Sequence, residues 1–112
     1  METMKRIRTE EDYGTQAIEC FTWNNQTIIG IGICLKQGNQ ANLQYLWVHP
    51  ESRKIGVGGN ILAQLENWAI ETNLNPIFAI IQPNDITTKN FLIKHGFTLH
   101  NNKATKKVKQ KE

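Results

Sequence analysis

Twelve residues constrain this chain more than any others: Val48-His49-Pro50-Glu51-Ser52-Arg53-Lys54-Ile55-Gly56-Val57-Gly58-Gly59. They read R-x-x-G-x-G-G, follow an apolar strand and open into an amphipathic helix. A strand, a glycine-rich turn and a helix start together make an anion site. The first-turn N–H groups have no partner within the helix, and the helix dipole is positive there. Glycines let the backbone approach a phosphate without a Cβ in the way. Arg53 adds a fixed charge that grips phosphate oxygens.

Two familiar phosphate loops do not fit. A Walker loop needs G-x-x-x-x-G-K followed by Ser or Thr, and no such pair follows these glycines. A dinucleotide loop needs G-x-G-x-x-G early in a series of β-α-β units, and both spacing and element order differ here.

The pattern V-H-P-E-x-R-x-x-G-x-G resembles the pyrophosphate loop of the GCN5-related N-acetyltransferases (GNAT), which use acetyl-coenzyme A. A second stretch, Asn90-Phe91-Leu92-Ile93-Lys94-His95-Gly96-Phe97, resembles that family's C-terminal motif. The resemblance spans roughly residues 27–100. It implies an acetyltransferase that moves an acetyl group from acetyl-CoA to a primary amine; a cytoplasmic location is expected from the lack of a span-length apolar run. A non-catalytic acyl-CoA-binding or protein-interaction module on the same fold is the alternative.

The length of 112 residues suits one domain with a single core. The reading places the domain at 1–102 and a lysine-rich edge strand or tail at 103–112. Five of the thirteen basic residues, and one of the ten acidic ones, fall in those last ten positions. The remainder holds eight basic against nine acidic side chains. The sequence pI near 9.0 therefore belongs to the tail and does not argue for a nucleic-acid-binding body. No apolar run approaches the ~20 residues of a membrane span.

Periodicity predicts strands at 4–8, 15–23, 26–36, 41–48, 77–81, 97–100 and 104–109. A turn or single helical turn is expected over Thr9–Gly14. Asn24-Asn25 is the expected hairpin turn, so paired residue numbers sum to about 49. Cys20 then faces Ile29, Cys34 faces Thr15, and the thiols lie too far apart to bridge. Gly30 and Gly32 suggest a bulge or a close approach. A helix over 57–72 places Ile61, Leu62, Leu65, Trp68 and Ala69 on one face. A second helix, capped by Asp85 or Thr87, reaches about His95. The order predicts an α+β fold: a mixed, mostly antiparallel sheet with one parallel β-α-β junction, between 41–48 and 77–81. A ligand belongs at such a junction, beside the helix N-terminus.

The resemblance assigns cofactor contacts to Leu46, Trp47 and Val48 along the strand. It assigns others to Arg53, Lys54, Ile55, Gly56, Val57, Gly58 and Gly59 in the loop, and to Asn84 or Asp85 beyond it. No metal site is expected. Relatives place a titrating group at the positions of Asn42 or Gln44, and a tyrosine at that of Leu92, and none of these three titrates. Gln44, through a held water, and Tyr45 are the candidate proton-transfer residues. Tyr45 and Trp47 are read as alternating on one strand face with Leu43. His49 reads as a surface or hydrogen-bonding residue, and His95 as one placed against a helix dipole. The family usually carries two helices between its first two strands, and residues 1–14 cannot hold them. The sheet face they cover is then bare, which predicts a homodimer or an open acceptor side.

Overall fold

The computed structural model describes residues 1–109. The elements run β1 (Glu2–Arg8), α1 (Glu10–Tyr13), β2 (Ala17–Asn24), β3 (Thr27–Gln37), β4 (Gln40–Val48), α2 (Val57–Glu71), β5 (Ile77–Ile80), α3 (Ile86–Lys94), β6 (Thr98–His100) and β7 (Lys103–Lys106). A 3-10 turn, Pro50–Ser52, precedes α2. The seven strands form one sheet in the order β1-β2-β3-β4-β5-β7-β6. Every neighbouring pair is antiparallel except β4 with β5. That is the mixed α+β sheet expected from the sequence.

The apolar stripe of α2 explains the layering. Val57, Ile61, Leu62, Leu65, Trp68 and Ala69 are buried against Ile18, Cys20, Cys34, Ala41 and Leu43 of the sheet. The helix comes this close because β3 has no Cβ at two positions. A Cβ on Gly30 would stand 2.7 Å from Ile61 Cδ1, and one on Gly32 would stand 2.4 Å from Ile61 Cγ2. The third helix, α3, covers the same face. Its Leu92 is fully buried in that core, and its Phe91 meets the start of α2 at Gly58.

Among the described residues, the opposite sheet face has no helical layer beyond the single turn α1. Tyr13 of that turn donates its hydroxyl to Glu19 Oε2. Arg6 Nε and Arg8 Nε each reach Glu19 Oε1 at 2.9 Å. Burial opposes the Glu19 charge, but the hydrogen bonds from Tyr13, Arg8 and Arg6 outweigh it and hold this carboxyl below its ordinary range.

The β2–β3 register differs from expectation. The turn is Asn25-Gln26, closed by Asn24 opposite Thr27, with Asn25 at φ 58°. An extra residue, Ile29, then bulges from β3, because Thr22 pairs with Gly30 while Trp23 pairs with Ile28. Cys20 therefore opposes Gly32, not Ile29, and Cys34 opposes Ile18, not Thr15. Both thiols are free and buried.

A second bulge changes the reading of β4. Ile33 pairs with Tyr45 while Cys34 pairs with Leu43, so Gln44 is the extra residue. Leu43 is consequently buried under α2, whereas Tyr45 is 47% exposed on the other face. The expected common face for Leu43, Tyr45 and Trp47 is thus broken at Gln44.

In β5, Ile77, Phe78 and Ala79 are buried, but Ile80 is 67% exposed. The lysine-rich segment also lies differently from the edge expected for it. Lys103–Lys106 is inserted between β5 and β6, which leaves β6 at the rim. Positions 110–112 of that segment lie outside the described residues. No helix among the described residues is long and apolar enough to cross a membrane.

Candidate active site

The parallel junction is short. Ala41 pairs with Ile77 and Asn42 with Phe78, and there the pairing ends. Strand β4 runs on to Val48, so residues 43–48 have no strand on the β5 side. His49 N donates to Ile29 O at 2.8 Å, back toward β3. Strand alternation then turns the N–H and C=O of Val48 the other way, into the gap.

Beyond β4, His49 Nδ1 accepts from Glu51 N at 3.2 Å, which starts the 3-10 turn as a hydrogen-bonding residue should. Arg53 Nε donates to Val48 O at 3.2 Å and ties the loop to the strand end. Lys54 and Gly56 both take positive φ, 72° and 87°. Gly56 is the N-cap of α2 and has no side chain to satisfy the first-turn donors. The first helical bond runs from Asn60 N to Gly56 O. The N–H groups of Val57, Gly58 and Gly59 precede it and carry the positive end of the helix dipole.

Gly58 and Gly59 also set the distance between α2 and α3. A Cβ on Gly58 would stand 3.0 Å from Phe91 Cε1, and one on Gly59 would stand 3.2 Å from His95 Cε1. The Phe91 and His95 rings lie 4.4 Å apart, tilted by 40°. At the other end of α3, Asp85 is the N-cap. It accepts from Thr88 N at 3.0 Å and from Thr88 Oγ1 at 2.7 Å. Those bonds hold its carboxyl below the usual aspartate range.

Together these elements enclose a cleft of about 720 Å³. Leu46, Trp47 and Val48 form the strand side, and Arg53, Lys54, Gly56, Gly58 and Gly59 form the loop side. Asp85, Thr87, Thr88, Phe91, Lys94 and His95 form the α3 wall. Ile55, Val57 and Asn84 are not among the residues that line the cleft. The Ile55 side chain is 58% exposed and that of Val57 is buried in the core, while the Val57 N–H belongs to the helix start. Asn84 is exposed, and its carbonyl accepts from Ile86 N at 3.1 Å. Gln44 and Tyr45 are exposed and do not line the cleft.

The α3 wall was mostly missed in the sequence. Phe91, Lys94 and His95 lie three and one residues apart, which puts them on one helical stripe. That spacing was the available signal. Among the described residues no group of three or more His, Cys, Asp or Glu is placed to hold a metal.

A cleft of this size, at a parallel junction with a glycine-rich helix start, has dimensions and backbone donors that suit a long phosphate-bearing ligand. The sequence model of the Acetyltransferase (GNAT) family matches residues 2–97, and the chain belongs to that family. No curated protein matches the chain in sequence. Solved structures match its fold at low identity. One is an N-acetyltransferase, Paia, from Thermoplasma acidophilum in complex with coenzyme A. It is 17% identical, with a TM-score of 0.75, covering 88% of this chain and 65% of that one. A GNAT-family acetyltransferase from Staphylococcus aureus Mu50 is 19% identical, with a TM-score of 0.73, covering 88% of this chain and 71% of that one. The streptothricin acetyltransferase described for Bacillus anthracis, in complex with acetyl coenzyme A, is 23% identical. Its TM-score is 0.67, and the match covers 81% of this chain and 58% of that one. The chain thus spans less than two thirds of the length of the first and third of these.

Proposed function

We propose that this protein transfers an acetyl group from acetyl-CoA to a primary amine. One observation carries the reading: the β4–β5 gap opens directly onto the Gly56–Gly59 helix start within a single cleft. Family membership and the coenzyme A complexes of structural neighbours agree with it.

The residues present fit the coenzyme. Arg53, Lys54 and the free N–H groups of Val57, Gly58 and Gly59 would hold the pyrophosphate. The main chain of Leu46, Trp47 and Val48 would hold the pantetheine arm as a strand holds a strand. The Val48 N–H, turned into the gap, would stabilise the oxyanion. Bound acetyl-CoA supplies an activated acyl carbon and a thiolate leaving group. The amine nitrogen forms the new C–N bond as the C–S bond breaks, and the amine proton passes to solvent or to the thiolate.

Gln44 and Tyr45 remain the candidates for proton transfer. Gln44 Oε1 accepts from Asn42 Nδ2 at 3.3 Å, and a water held by either side chain would relay the proton. Leu92, where relatives place an acid, is fully buried. Holding both reactants in line supplies much of the rate without a strong acid or base. The same Leu92 favours the second reading, a coenzyme-binding module that does not turn over.

Calorimetry with acetyl-CoA and free CoA tests the reading. Wild type should bind both, and Arg53→Ala should weaken binding about tenfold or more. Gly58→Trp, which fills the cleft between α2 and Phe91, should abolish it. Failure of wild type to bind either ligand would sink the proposal. Binding without thiol release at saturating amine would select the second reading.

A further inference from the structure

We propose that the uncovered sheet face is the acceptor surface, and that it takes an amine carried on an apolar body. The inference rests on the acetyl-transfer reading and narrows it to a substrate class.

Trp47 links the cleft to the uncovered face. Leu46 and Val48 pack toward α2, while Trp47 alternates to the opposite face, and all three line the cleft. An acceptor lying on the uncovered side would therefore meet the gap at Trp47. From Trp47 the strand register continues outward as Ile31, Phe21 and Met4. That row is apolar throughout and begins at Trp47. Adjacent strands lie about 4.8 Å apart, so Trp47 and Phe21 are about 10 Å apart across the sheet. An aryl group on Ile31 and Phe21 would let a short alkylamine reach the gap.

The neighbouring row is Tyr45, Ile33, Glu19 and Arg6. Glu19 is the one carboxylate in these two rows, and its oxygens already accept from Tyr13, Arg6 and Arg8. It therefore offers no counter-charge to a second ammonium group. Arg6 itself lies over the Phe21 ring, 5.7 Å from the centroid, and repels one. The row on the other side, Ile28, Trp23 and Glu2, carries its carboxylate only on β1, three strands from β4 and about 14 Å away, beyond the reach of a short diamine whose first nitrogen is at the gap. Such a diamine finds no counter-charge within its span, whereas an apolar body removes surface from water.

The test uses the CoA-saturated protein, titrated calorimetrically with phenethylamine and with ethylenediamine. Thiol release from acetyl-CoA is followed in parallel. Phenethylamine should bind about tenfold tighter or more. Ile31→Gln should bring the ratio close to one with CoA affinity unchanged. Met4→Gln, on the exposed edge strand, should lower the ratio in the same direction by a smaller factor and keeps the test alive if Ile31→Gln unfolds. Equal or tighter ethylenediamine binding overturns the proposal, as does a ratio that both variants leave intact. A stable dimer that buries the face and binds neither amine also overturns it and assigns the face to a second copy. Selective phenethylamine binding without thiol release supports this surface and counts against the transfer step alone. Loss of CoA binding in wild type removes both readings together.

Discussion

Gly32 lies directly beneath Ile61: a Cβ at Gly32 would stand 2.4 Å from Ile61 Cγ2 and 3.0 Å from Leu65 Cδ1. Both side chains belong to the buried stripe of α2, so they have nowhere to retreat. Gly32→Ala should lower stability by about 1–3 kcal/mol through overpacking. Gly38, in an open turn at φ 60°, meets nothing within 4 Å. Gly38→Ala should cost about 1 kcal/mol through backbone strain alone. Urea denaturation of the two variants measures the difference. Equal losses would mean that the close approach of α2 is not what requires Gly32.

The Glu19 cluster predicts how stability depends on pH. Its carboxyl is held below its unfolded value near 4.5. The contribution is complete above that value and fades as pH falls through the lower folded one. Tyr13, whose hydroxyl donates to Glu19, is shifted upward from 10.0. Its contribution is complete below that value and is lost as pH rises through the higher folded one. Glu19→Gln should reduce the acid-side slope, leaving the part that Asp85 contributes, and destabilise the protein at neutral pH by about 2 kcal/mol, because Arg6, Arg8 and Tyr13 lose a charged acceptor. Chemical denaturation at a series of pH values reads both effects. An unchanged acid slope in the variant would contradict the assignment.

Asp85 joins the cleft to the start of α3. Asp85→Ala removes both bonds to Thr88 and should cost about 1 kcal/mol of stability. Asp85→Asn keeps an acceptor and should cost less. Thermal unfolding of the pair separates the cap from the charge. A stabilised Asp85→Ala variant would show that the carboxylate is strained rather than capping.

Burial pushes the Cys34 thiol up to about 12, and burial also raises Cys20. Thiolate is the reactive form. Both cysteines should resist Ellman's reagent at pH 8 in the folded state and react at once in guanidinium. Rapid modification of the native protein would contradict the buried placement on β2 and β3.

The elements were legible because each carries its own period. The α2 stripe repeats as a helix does, β5 opens on an unbroken apolar run, and Pro50 stops β4. The glycine loop announced a helix start, and Gly30 with Gly32 announced a close approach. What escaped were two single-residue insertions, Ile29 in β3 and Gln44 in β4. A bulge leaves the alternation on either side intact and only changes its phase: Gly30 hinted at the first without placing it, and nothing in the local pattern marks the second. The first, together with a turn that falls one residue later than expected, changed the partners of Cys20 and Cys34. The second separated Leu43 from Tyr45. The α3 wall was obscured for another reason: Phe91 and His95 face the cleft because Gly58 and Gly59 admit them, a relation between distant segments.

Two residue pairs, Ala41 with Ile77 and Asn42 with Phe78, make up the β4–β5 ladder. The sheet is in effect two leaves on a short spine, β1 to β4 on one side and β5, β7 and β6 on the other. Beyond the spine, side chains beneath α2 and α3 set how far the leaves stand apart. The width of the opening is therefore a property of packing and not of the backbone ladder. Substitutions at the contact of Gly58 with Phe91 can retune it without unpairing a strand.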